Sequence, residues 1–133
     1  MKILNLTQHQ ATIKQVEVGV IEPESKEYIQ KLLTFDEIPS KQEIRKRARK
    51  LAGYAKLTFK GESGKAMIGG APFLMSELEY WLRKNRIEPV YAFSKRVSVE
   101  KEIDGEIIKT NVFKHIGFVS PYKKERKMDA IGE

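Results

Sequence analysis

Apolar residues recur along the chain in short runs separated by polar turns, and their period changes from run to run. The run Ala66-Met67-Ile68 meets Gly69-Gly70 and then Ala71-Pro72-Phe73. Leu74, Leu78, Trp81 and Leu82 follow at helical spacing, and a second apolar run, Val90-Tyr91-Ala92-Phe93, comes after Asn85. Strand, glycine turn, helix and strand make a βαβ unit, whose crossover sets the two strands parallel. Pro72 suits a first helical turn, where its missing N–H leaves nothing unpaired. Two glycines let backbone turn sharply and approach a ligand.

The N-terminal pattern repeats the theme. Lys2 to Leu6 reads as a first strand and Thr7 to Thr12 as a polar loop, with Thr12 capping a short helix through Gln15 and Val16 that Gly19 stops. Pro23 opens a helix over residues 24–33, although Leu33-Thr34-Phe35 also fits a short strand. Ile38-Pro39 breaks the chain. Ser40 and Glu43 form a capping box for a helix with Ile44, Ala48, Leu51, Ala52 and Ala55 inward, expected to fray from Gly53. Beyond Phe93, Val97 and Val99 alternate with polar residues up to Asp104-Gly105, a hairpin turn. The return strand carries Ile107 to Phe113, and a further apolar stretch, Ile116 to Val119, ends at Pro121. The expectation is one α/β domain over residues 1–122, a Rossmann-like, mostly parallel sheet flanked by helices with a C-terminal β-hairpin. Residues 123–133 read as a charged tail.

Composition narrows the chemistry. No cysteine is present, which excludes disulfides, thiolate metal sites and cysteine nucleophiles. No run approaches the roughly 20 apolar residues of a membrane span, and no charged-then-apolar leader opens the chain, so a cytoplasmic protein without a membrane partner is expected. The net charge of +7 is concentrated: residues 41–60 hold eight cations against Glu43 alone. Such a face attracts polyanions, and Arg45, Lys46, Arg49 and Lys50 are the candidates for binding nucleic acid. The competing reading is a solvated helix face.

In open parallel sheets ligands bind beyond the carboxyl ends of the strands. That rule selects Gly69, Gly70 and Ala71 after one strand, and Ser94, Lys95 and Arg96 after the next, where a hydroxyl and two cations suit a phosphate or carboxylate. Neither a Walker motif nor a dinucleotide fingerprint is present. Thr7, Gln8, His9, Thr12 and Gln15 form a third group in and after the first loop, and converge with the other two if the three strands are neighbours. His9 is the candidate for acid–base work. His115 reads as structural, and the two histidines make neither a metal nor a cofactor site. Glu22, Glu24, Glu77 and Glu79 read as solvated helix-end charges.

The run Asn5-Leu6-Thr7-Gln8-His9-Gln10-Ala11-Thr12, with Gln15 three residues on, resembles the start of small CRISPR-associated ring nucleases. Nearly the whole chain also resembles a family found in bacteria and phages, through the stretch from Gly69 to Met75 and through Tyr91-Ala92-Phe93-Ser94. The ring-nuclease resemblance implies a Rossmann-like homodimer that binds cyclic tetraadenylate across its two-fold axis. It implies metal-independent cleavage by a ribose 2′-hydroxyl, in defence or counter-defence. His9 and Gln15 would position groups or transfer protons, while Gly69, Gly70 and Arg96 would hold phosphates. The helices of residues 23–60 and the terminal hairpin are additions to a minimal ring nuclease. Two other readings remain open: a non-enzymatic nucleic-acid-binding protein, and a module that sequesters a signalling nucleotide.

Overall fold

The computed structural model describes residues 2–122, and the expected charged tail lies outside them. In chain order the elements are β1 (Ile3–Leu6), α1 (Ile13–Glu17), β2 (Val20–Ile21), α2 (Lys26–Leu33), α3 (Lys41–Thr58), β3 (Gly64–Ile68), α4 (Pro72–Lys84), β4 (Ile87–Ile103) and β5 (Glu106–Val119). The strands form one sheet in the order β2-β1-β3-β4-β5, parallel except for the antiparallel pair β4–β5. The expected α/β architecture with a terminal hairpin is what the chain adopts.

Period-two alternation divides β1 between two cores. Leu4 and Leu6 join Ala66, Ile68 and Ile87 beneath α2, α3 and α4, while Ile3 joins Val20, Met67 and Val90 on the opposite face. The helical layer is sealed by Ile29, Leu51, Leu74, Leu78 and Leu82, each fully buried. Ala48, Ala52 and Ala55 are also fully buried, and their small side chains bring α3 close against its neighbours. Among the described residues the opposite face carries only α1, a single turn-and-a-half with Ile13 and Val16 exposed, as is Val18 at its C-cap.

Several local expectations are corrected by tertiary contacts. α2 starts at Lys26 behind Ser25, not at Pro23, which is buried beside Glu22. Leu33-Thr34-Phe35 is not a strand. The Arg47 guanidinium donates to the carbonyls of Lys31 and Thr34 and so caps the end of α2. α3 does not fray at Gly53 but continues to Thr58. Tyr54 anchors that last part: its hydroxyl accepts the Ser25 N–H at 3.0 Å, and its ring packs against Tyr28. Packing of this kind outweighs the weak propensity of one glycine.

The largest correction concerns β4. It is a single strand of 17 residues. Its first part pairs with β3, and from Tyr91 onward it pairs with β5. Ser94, Lys95 and Arg96 are therefore strand residues opposite His115, Lys114 and Phe113, and not a loop at a strand end. A register shift between Phe93 and Ser94 bends the ribbon there. Val97 faces Val112 and Val99 faces Thr110, β-branched pairs that stabilise an antiparallel ribbon. Asp104 and Gly105 both have positive φ (54° and 81°), which closes the tip as a primed turn.

Two glycines test this packing in opposite directions. A Cβ at Gly64 would lie 2.6 Å from the Phe59 ring, whereas a Cβ at Gly53 meets nothing within 4 Å. Gly64→Ala is expected to lower stability by about 2 kcal/mol through overpacking. Gly53→Ala in the interior of α3 is expected to raise it by about 0.5–1 kcal/mol. Urea unfolding followed by circular dichroism measures both, and equal effects would show that the Phe59–Gly64 contact is not a constraint.

Candidate functional site

The strand order reverses direction at β1 and β3. From β1 the chain crosses to β2 through α1 on one face, and every later crossover uses the other face. The loops leaving β1 and β3 therefore part on opposite sides, and a crevice opens between them. A pocket of about 340 Å³ lies there, lined by Thr7, Gln8, His9, Thr12 and Gln15 from the first loop and helix, by Gly69 and Gly70 after β3, and by Tyr91 and Ala92 of β4. Two of the three sequence groups thus come together. The third does not: Ser94, Lys95 and Arg96 lie farther along β4 and do not line the pocket, and the Arg96 guanidinium sits 5.4 Å from the Phe113 ring centre. Ala71 is the residue before α4 and also falls outside the lining.

The first loop is shaped by Asn5, a buried amide at the end of an otherwise apolar strand. Its Nδ2 donates to the His9 carbonyl (2.8 Å) and to Glu22 Oε1 (3.0 Å), and its Oδ1 accepts from the Thr7 N–H (2.9 Å) and hydroxyl (2.7 Å). Both donors and both acceptor positions of the amide are used. The other Glu22 oxygen accepts the Ala11 N–H at 2.7 Å. Glu22 is therefore a clamp on the loop, not a solvated helix-end charge. Gln8 donates to Thr34 Oγ1 (2.9 Å), and Gln30 donates to the Thr7 carbonyl (3.3 Å), tying the loop to the end of α2. The His9 backbone is thereby held while its exposed imidazole, which bonds no other described side chain, is left at the pocket edge.

Gln15 is fixed at both ends. Its Oε1 accepts the Thr12 N–H (3.0 Å) as half of a capping box. Its amide nitrogen then faces His115 Nδ1 at 3.4 Å. An amide NH₂ only donates, so in this contact Nδ1 is the acceptor. Gln15 thus acts as a positioning residue, and His115 joins the neighbourhood of the site through it.

The β3 side is backbone. Gly70 has φ +141°, a conformation that side chains rarely adopt, and α4 begins two residues later at Pro72. Among the described residues no lysine or arginine lines the pocket, and the β3 wall offers the backbone of Gly69 and Gly70. Tyr91 also lines the pocket, and its hydroxyl donates to Glu79, which is therefore no helix-end charge. Burial, reinforced by that carboxylate, holds the Tyr91 phenol protonated well above its ordinary range. Glu77 likewise has a partner, the Trp81 indole N–H at 3.0 Å. Among the described residues no group of three or more His, Asp or Glu side chains is placed to hold a metal. No helix among them is long and apolar enough to cross a membrane.

Residues 1–119 match the Uncharacterized protein MJ1673 family. The chain belongs to that family. The match covers all nine elements and every residue of the pocket. No curated protein and no solved structure matches the chain.

Sequence reasoning missed Asn5, Glu22 and Tyr91 as site residues. Asn5 carried a signal, a lone amide in an apolar strand; the partners of Glu22 and Tyr91 are remote in sequence. Asn5→Ala leaves the Glu22 carboxylate and the turn at Thr7 without their shared partner. It is expected to cost about 3 kcal/mol in urea unfolding, with amide shift changes centred on residues 7–11. The raised Tyr91 pKa means that the folded state keeps a proton that the unfolded chain releases. Its contribution is complete below pH 10 and declines as pH rises beyond that value. Tyr91→Phe should flatten the alkaline fall in stability and remove a late-titrating component from the tyrosinate absorbance.

Proposed function

We propose that the protein recognises a nucleotide in the crevice between β1 and β3, and that it acts in antiviral defence or counter-defence as a metal-independent cyclic oligoadenylate ring nuclease. The observation that carries the nucleotide reading is convergence: the Thr7–Thr12 loop, Gln15 and Gly69-Gly70 surround one pocket at the switch point of the sheet. The cyclic oligoadenylate class comes from the resemblance of residues 5–15. A pocket of about 340 Å³ has room for a nucleotide-sized portion of such a ring, not for the whole. The remainder of the ring would meet a second copy of the chain, and for that reason the reading includes a homodimer.

In this reaction the ribose 2′-oxygen attacks the adjacent phosphorus and the bond to the 5′-oxygen breaks, leaving a 2′,3′-cyclic phosphate and a 5′-hydroxyl. One proton leaves the 2′-hydroxyl and one is delivered to the 5′-oxygen, so none is gained or lost. His9 is the group for proton transfer, since its backbone is clamped and its ring is free of described partners. Gly69 and Gly70, whose backbone lines the pocket, are the groups for developing phosphate charge in this reading, where fixed dipoles act without reorganising. Gln15 holds the loop end and takes no proton itself.

Incubation with cyclic tetraadenylate in excess chelator, resolved by chromatography, tests the proposal. Linear products ending in a 2′,3′-cyclic phosphate are expected, with His9→Ala slower by about 100-fold or more. A thermal shift without cleavage would replace the nuclease with a sequestering module. An intact ring and no thermal shift would remove both.

A further inference from the structure

The basic helix has no part in that pocket, and its charges are not equivalent. Arg47 is turned inward: it donates to Glu43 at 2.7 Å and to the carbonyls that end α2, and its guanidinium lies 4.2 Å from the Phe35 ring centre. Arg45, Lys46, Arg49 and Lys50 remain on the outside and line, with Gln42, a groove of about 390 Å³. Along its α4 side runs a ladder of alternating charge and π-face. The Arg49 guanidinium sits 4.8 Å from the Trp81 ring centre. Trp81 and Tyr80 meet edge to face at 5.1 Å, and Lys84 Nζ lies 5.5 Å from the Tyr80 ring. Glu77 pins the assembly by accepting the Trp81 indole N–H while lying 3.9 Å from Arg45.

We infer that the joined outer surface of α3 and α4 is a second binding site, for single-stranded nucleic acid. Clustered cations neutralise phosphates and release counterions, whatever the base sequence. Exposed aromatic and guanidinium faces stack on unpaired bases, a contact that tolerates every base because each has a π-face. Tyr80, half exposed, offers such a face beside the cations. A duplex keeps its bases stacked inside and can use only the cations. An acidic peptide likewise matches the charge and leaves the ring faces unused. Only an unpaired strand engages both halves of the surface.

Trp81 is the single tryptophan of the chain, so its emission reports from this surface. The test titrates the full-length protein with an unlabelled poly-uridine oligonucleotide, following Trp81 fluorescence. Anisotropy of a labelled oligonucleotide is measured in parallel. Binding is expected to quench Trp81. With four phosphate contacts, affinity should fall about fiftyfold between about 50 and about 200 mM salt. Tyr80→Ala should weaken binding about tenfold at fixed salt by removing one stack. Arg45→Glu with Arg49→Glu should abolish it while circular dichroism stays unchanged. A duplex of the same length should bind more weakly than the single strand. No binding at the lower salt overturns the assignment. So does equal binding of single strand, duplex and poly-glutamate with unchanged Trp81 emission, which would mark a charged face without base contacts.

Discussion

A primary amide buried in an apolar sheet must satisfy four hydrogen-bonding positions or destabilise the fold, and Asn5 satisfies three of them within one loop and the fourth at Glu22. Its nitrogen holds the His9 carbonyl and Glu22, and its oxygen holds Thr7. That saturation decides the path of residues 7–11. It also couples the loop to the segment after β2 through Glu22, which takes the Ala11 N–H as well. The candidate site is in this sense a consequence of solvation: the loop adopts a path that leaves no buried polar atom of Asn5 unpaired.

The sheet supplies the second constraint. A parallel strand pair needs a crossover, and crossovers of one hand on opposite faces force the chain to leave β1 and β3 in opposite directions. A crevice follows without any special residue. Gly70 then keeps its wall low, because its φ of +141° disfavours a side chain there. The division of labour is clear in the residue types. The first loop brings hydroxyls, amides and an imidazole; the second brings backbone and a helix end; β4 brings the protonated Tyr91.

The helical layer has a different balance. Its inner face is alanine and leucine packed against the sheet, and its outer face combines cations with the rings of Trp81 and Tyr80. Within α3 the charges divide by packing. Arg47 reaches the carbonyl end of α2 and is structural, while its neighbours Arg45, Lys46, Arg49 and Lys50 stay on the surface. Counting cations along the sequence treats these five alike, and the geometry separates them.

What the sequence determined by itself was whatever depends on neighbours a few residues apart. The central βαβ unit, the Thr12 and Ser40 caps, the inward stripe of α3 and the Asp104-Gly105 turn all rest on local periodicity and turn chemistry, and all are present. Thr7, His9, Thr12, Gln15, Gly69 and Gly70 were legible as one group because strand ends attract loops of that composition. Tertiary structure alone decided the rest. Ser94–Arg96 became strand because β5 offered their backbone partners from 17 or more residues away, which extends the hairpin well beyond its turn. Glu22, Glu79 and Arg47 left the solvated surface for the same reason: the groups that bind them come from other elements. A charged residue is read as exposed until the fold puts a hydrogen-bond partner beside it, and that placement belongs to the packed chain as a whole.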